Sequence, residues 1–191
     1  MSKGIKTVLT VLGVLVVLAG SILLWGIGQY NRVIAMDEQV RSQWAQVENQ
    51  LKRRFDLIPN LVETVKGYAK HEKEIFESLA QARTKYFQAG NMQEKVEAAG
   101  GFERALSRLL MLQENYPELK ANESFLKLQD TLEGTENRIA VERKRYNDAV
   151  RRLNTYRRTV LGRFFAALAG VEAASYFQVE EKEKAAPTVR F

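Results

Sequence analysis

Two hydrophobic patterns divide the chain. From Thr7 to Asn31 there are 25 consecutive residues without a charge, and the stretch is built from Leu, Val and Ile on every face. A helix of that length reaches about 37 Å, enough to cross a hydrocarbon core about 30 Å thick with some tilt. The pattern predicts a transmembrane anchor, with its short tail, in residues 1–29. A cleaved signal peptide competes, because Lys3 and Lys6 precede the apolar run and the small residues Ala19, Gly20 and Ser21 lie inside it. The run continues past them through Ile22, Leu23, Leu24 and Trp25, which favours an uncleaved anchor.

Beyond residue 30 the apolar positions recur at the helical period and no alternating strand pattern competes. Val33, Met36, Val40, Trp44, Val47, Leu51, Phe55 and Ile58 are spaced by three and four, the stripe of a helix that continues from the anchor. Asp56 reads as the N-cap of a second helix with Pro59 in its first turn, where a missing N–H costs little. A kinked continuation is the alternative, since the residue before a proline disfavours the α region. Leu61, Val65, Tyr68, Glu72, Ile75, Leu79, Ala82 and Tyr86 then form the seam of that second helix. A third helix is clearest from Phe102 to Glu114, with Gly100 and Gly101 leaving its start open. Asn122 is placed to cap a fourth, whose stripe from Phe125 to Val160 extends over about 36 residues, or about 54 Å. Amphipathic helices with short connections favour antiparallel neighbours. The expected fold is therefore all-α: a transmembrane helix followed by an antiparallel four-helix bundle of long, coiled-coil-like helices over residues 30–177, with a disordered polar tail from 178 to 191.

Composition narrows the chemistry. The 191 residues include no Cys and one His, with 29 Lys and Arg against 23 Asp and Glu. There can be no disulfide, thiolate metal site or cysteine nucleophile, and no multi-histidine metal site within one chain. A zinc-protease helix built on His71-Glu72 would need a second His at position 75, where Ile75 stands. A di-iron bundle needs Glu-x-x-His, and position 68 is Tyr. No catalytic residue, metal ligand or cofactor is expected, and His71 reads as a surface histidine. Glu72 and Glu142 fall on apolar stripes; either each reaches the edge of its seam, or the two form a buried polar layer that fixes helix register.

Two charged clusters are candidate surfaces. Arg53, Arg54, Asp56, Asn60 and Glu63 crowd the expected turn, about 40 Å from the membrane along a helix that starts at residue 30. There they could meet a partner protein, or serve only as caps and internal ion pairs. The fourth helix and its continuation carry Arg143, Lys144, Arg145, Arg151, Arg152, Arg157, Arg158 and Arg163 against Glu142 and Asp148. In an antiparallel bundle, Arg151, Arg152, Arg157 and Arg158 return toward the bilayer, where each is worth about 1 kcal/mol against anionic headgroups. The following FFAALAGV could rest at the interface, and the competing reading is a solvated basic face. The positive-inside rule gives a small bias toward an N-terminus inside. That points to a single-pass protein with its main domain extracytoplasmic and nucleic acid out of reach.

The chain resembles the LemA family of bacterial membrane proteins. The resemblance lies in Tyr30-Asn31, Trp44 to Val47, LKRRFDLIPNLVETVKGYAKHE (51–72), Ala82-Arg83, ENYPELKANESFLKLQ (114–129) and EGTENRIAVERKRYNDAVRRLNT (133–155). It implies one N-terminal transmembrane helix and a helical bundle, but brings no agreed activity and no catalytic or ligand residues. Neighbouring genes in such families often encode envelope proteins such as membrane metalloproteases, which implies an accessory role beside them. Where relatives often carry Phe-Pro, this chain has Val160-Leu161, so the last helix is free to run on. The function expected is a membrane-anchored scaffold or adaptor for envelope proteins, without enzymatic activity, with a homo-oligomer left open. The alternative is an envelope ligand-binding protein or a hydrolase using seam carboxylates.

Overall fold

The computed structural model of the protein describes residues 3–177. Among these there are six α-helices, one 3-10 turn and no strand. The helices are α1 (Lys3–Lys66), α2 (Lys73–Gln88), α3 (Met92–Met111), α4 (Pro117–Lys120), α5 (Glu123–Arg158) and α6 (Val160–Leu168). The all-α class stands, whereas the helix count differs from the four expected after the anchor. The polar tail from 178 lies outside the described residues.

The main correction concerns Pro59. The expected turn at Asp56 is absent, and α1 continues through the proline to Lys66. Proline removes one N–H and leaves the Phe55 carbonyl without its helical donor, a local cost. The stripe Leu51, Phe55, Ile58, Leu61 and Val65 is fully or almost fully buried on both sides of it. Burying each such side chain is worth roughly 1.5–3 kcal/mol, so packing outweighs one lost hydrogen bond. The turn falls instead at Gly67 to Glu72, where the Val65 carbonyl accepts the N–H of both Tyr68 and Ala69.

The start of α3 is also earlier than the glycines suggest. Asn91 caps it by accepting the Glu94 N–H at 2.9 Å, while the Glu94 carboxylate accepts the Gly90 N–H at 2.8 Å. This reciprocal arrangement, close to a capping box, fixes the helix ten residues before Phe102. Gly100 and Gly101 are carried within it because Ala98, Ala99, Phe102, Ala105 and Leu106 around them are buried. Asn122 caps α5 as expected, accepting the Phe125 N–H at 2.9 Å, and α5 has the expected 36 residues.

The described residues divide into two compact units: 3–41 with 149–174, and 42–148 with 175–177. In the second unit, Phe55 of α1 meets Tyr86 of α2 at 4.6 Å and Phe102 of α3 edge-on at 4.4 Å between ring centres. Phe125, Leu132, Ile139 and Tyr146 of α5 are buried there as well. In the first unit, Tyr156 of α5 donates to Gln29 at 2.9 Å and lies under the Arg32 guanidinium. Leu12, Leu15, Val16, Val17, Ile22, Leu23 and Leu24 of α1 are exposed. α1 thus contains a segment long and apolar enough to cross a membrane.

The last expected helix does not run on. α5 stops at Arg158, and Thr159 caps α6 by accepting the Gly162 N–H at 3.0 Å. A Cβ at Gly162 would strike the Tyr156 carbonyl, so the corner requires glycine. α6 ends at Leu168, and two residues on Gly170 has a φ of 64°, which favours glycine. The Val171 N–H there bonds the Ala166 carbonyl and the Gly170 N–H the Ala167 carbonyl, the Schellman pattern.

Because Asp56 is an exposed mid-helix residue, Asp56→Ala should leave stability unchanged or raise it by up to about 0.5 kcal/mol in chemical denaturation of the full chain. A loss of about 1 kcal/mol would mean that the side chain caps a helix after all.

Candidate functional site

The sequence places Arg53 and Arg54 side by side, and the structure separates them. Arg53, Asp56 and Asn60 lie on the outer face of α1, all exposed. Arg54 points inward on the face of Phe55 and Ile58, and only 6% of it is exposed. Its Nη2 pairs with the Glu103 carboxylate of α3 at 2.8 Å and its Nη1 with Glu136 of α5. A buried guanidinium needs such partners, because an unpaired charge there would cost several kcal/mol. Arg54 is thus a tie between three helices and is not presented to a partner. The expected charged turn becomes an exposed helix face at Arg53, Asp56 and Asn60 and a buried node at Arg54.

Beside that face, α1 and α2 leave an open groove of about 530 Å3. Its floor is formed by Ile58, Val62, Phe76 and Leu79, with the Pro59 ring at one edge. Glu63, Lys66, Lys73, Glu77 and Arg83 line its margins, so charges of both signs surround an apolar centre. Lys66 pairs with Glu63 at 3.2 Å and lies over the Phe76 ring. Pocket geometry of this kind accommodates apolar groups in the range of a small ligand or a few side chains.

The carboxylates on the expected seams lie away from this groove. Glu72 is the N-cap residue of α2, half-buried, and accepts the Tyr116 hydroxyl at 3.0 Å. That bond, followed by burial and the Glu72 charge, raises the Tyr116 pKa. Glu142 pairs with Arg145 at 2.8 Å and turns its second oxygen inward. His71 is exposed in the turn before α2. Among the described residues no group of three or more His, Cys, Asp or Glu is placed to hold a metal ion.

One set of residues was not anticipated. After α6, residues 171–177 form no helix or strand. In the first unit, Asn154 accepts the Ala174 N–H at 3.1 Å and donates to its carbonyl at 2.8 Å. In the second, Asn147 accepts the Phe177 N–H at 2.8 Å and donates to its carbonyl at 3.0 Å. Each amide thus satisfies both backbone groups of one residue outside regular structure, a demand that buried backbone imposes. Tyr146 donates to the Ser175 carbonyl at 2.7 Å, and Phe177 rests on Trp44 with the Arg143 guanidinium 4.3 Å from its ring centre. Burial pushes the Tyr146 pKa up to about 12. Two asparagines seven residues apart, within one of the blocks that resemble LemA, were the available signal.

Of the expected membrane-surface residues, Arg151, Arg152 and Arg158 are exposed and Arg157 is half-buried at the end of α5. Arg163 is exposed on α6.

The helical body, the apolar first helix and the resembling blocks agree with the family comparison, in which the LemA family profile matches residues 43–191. The chain belongs to the LemA family. Similar proteins include magnetosome proteins MamQ 1 and MamQ 2 of Paramagnetospirillum magneticum, each 26% identical over 176 residues, covering 78% of this chain and 65% of theirs. Magnetosome protein MamQ of Magnetospirillum gryphiswaldense is 24% identical over 175 residues, 78% of this chain and 64% of its own. The LemA chain described here therefore spans somewhat less than two thirds of these relatives.

Two outcomes follow for this LemA protein. Arg54→Ala leaves Glu103 and Glu136 facing each other in a site where they are 24% and 43% exposed, so it should cost roughly 2–3 kcal/mol by denaturant titration. Tyr146 is neutral when folded and its pKa is raised above the unfolded value near 10, so its share of stability is present below pH 10 and lost as pH rises through about 12. Thermal unfolding from pH 8 to 12 should show that fall, and Tyr146→Phe should make it shallower.

Proposed function

We propose that this protein is a single-pass, membrane-anchored helical scaffold or adaptor for other envelope proteins, with no catalytic activity. The observation that carries the reading is the build of α1. One continuous helix is exposed and apolar in its first part and becomes a core helix of a folded body in its last. Such a helix carries an anchor and a face of a folded body in one element. The helices of the second unit are read as an antiparallel bundle, and the exposed face of Arg53, Asp56 and Asn60 with the α1–α2 groove is its candidate contact. The relatives are named as proteins of the magnetosome, and a role within a larger assembly is the reading carried over from that name. In this reading α1 spans the bacterial cytoplasmic membrane with its N-terminus inside and the helical body outside. A membrane protease is one partner of the expected kind.

The hydrolase alternative has less support. Glu72 and Glu142 lie outside the groove, and each is already engaged by Tyr116 or Arg145. The groove itself favours apolar contact over acid–base chemistry.

The native chain has no Cys, so Asp56→Cys gives one reactive thiol beside the groove. With an impermeant thiol crosslinker on intact cells, the expected result is labelling from outside the cytoplasmic membrane and a discrete crosslinked envelope protein. Ala80→Arg, which fills the groove from an exposed helix position, should abolish that product. Protection of the thiol would reverse the orientation, and labelling without any crosslinked protein would remove the adaptor role.

A further inference from the structure

α6 has an apolar face that its own unit does not cover. At about 100° per residue, Val160, Phe164, Leu168 and Leu161 fall within an arc of about 100°. They are 88%, 64%, 62% and 50% exposed. The adjoining arc of Gly162, Phe165 and Ala166 is buried. Phe165 packs edge-on against Trp25 with ring centres 6.1 Å apart, and lies against Gly26. Trp25 and Gly26 belong to the last turns of the charge-free stretch that ends at Asn31, where Arg32 follows. The inner face of α6 therefore grips α1 near the end of its apolar segment, and the outer face continues the apolar surface sideways at that level.

The charges beside α6 have one sign. Between Asp148 and Glu172 there is no acidic residue, while Arg158 and Arg163 are exposed at the start of the helix and within it. An uncovered apolar arc with arginines beside it is the pattern of a helix lying in a lipid interface. A water-facing corner would not keep a contiguous set of large aliphatic and aromatic side chains in the open.

We propose that α6 is a second membrane contact, seated in the headgroup–acyl boundary of the bilayer that α1 enters, with Arg158 and Arg163 directed at anionic phospholipid. The proposal rests on α1 being the membrane span. The Thr159 cap and the Gly162 close approach turn the chain by the required corner, and the Gly170 cap returns it to the helical body. The membrane is then met both by a helix through it and by a helix along it.

The test uses the full chain in nanodiscs of mixed zwitterionic and anionic phospholipid. Single cysteines at Leu15, Phe164, Leu168 and the exposed Glu133 carry nitroxide labels. The expected result is that positions 164 and 168 behave like 15, open to dissolved oxygen and protected from an aqueous nickel chelate, while 133 shows the reverse. With Arg158→Glu and Arg163→Glu together, position 164 should lose its protection in anionic discs. If 15 is in lipid while 164 and 168 follow 133, α6 is not a membrane contact, although the anchor reading survives. If 15 itself follows 133, the anchor reading fails and the proposal with it. Dipolar broadening between labels at 164, without oxygen access, would assign the face to a second copy of the chain and overturn the lipid assignment. Unchanged protection after charge reversal would overturn the role of the arginines.

Discussion

The second unit depends on one buried cation. Arg54 has left water, and the desolvation it suffers is offset only where Glu103 and Glu136 both reach it. Those carboxylates come from α3 and α5, so the pairing constrains the axial position of three helices at once. Hydrophobic contact alone is tolerant of sliding, since one Leu serves much like another a turn away. An ion pair at a single level is not. The aromatic contacts of Phe55, the next residue along, join α1 to α2 and again to α3 at that level.

Around this node the fold balances local costs against burial. Pro59 and the Gly100-Gly101 pair both weaken helix backbone, by a lost hydrogen bond in one case and by conformational freedom in the other. Both are retained inside helices because buried side chains flank them. Where burial is weaker, small side chains decide instead: Asn91, Asn122 and Thr159 start helices, and Gly170 ends one.

Much of the fold was legible because the stripes are regular. The spacing from Val33 to Ile58 and the 36-residue length of α5 follow from periodicity alone. What failed was punctuation. Asp56 followed by Pro59 carries the chemistry of a helix start, yet the spacing of Phe55, Ile58, Leu61 and Val65 continues across it, and the continuous stripe was the stronger signal. Thr159, immediately before Val160 and Leu161, carries a cap signal that competes with continuation of the helix. The candidate site was less legible. Helical phase puts Arg54 at the edge of the Leu51–Phe55–Ile58 stripe and Arg53 opposite it, but the carboxylates that make burial of Arg54 tolerable lie about 50 and 80 residues away. The groove between α1 and α2 arises only once the turn is placed at Gly67 instead of Asp56. Asn147 and Asn154 looked like ordinary polar positions because their partners are main-chain atoms, which have no sequence signature.

That last feature has an evolutionary side. A carboxamide that bonds the N–H and the carbonyl of one residue recognises the main chain and not the side chain attached to it. Residues 172–176 can therefore drift in identity while the segment stays fastened, provided that Val171 and Phe177, which are buried, remain apolar. The asparagines have no such latitude: Asp lacks the donor and Leu lacks both groups. In this stretch, constancy is expected in the helix that holds and variation in the segment that is held.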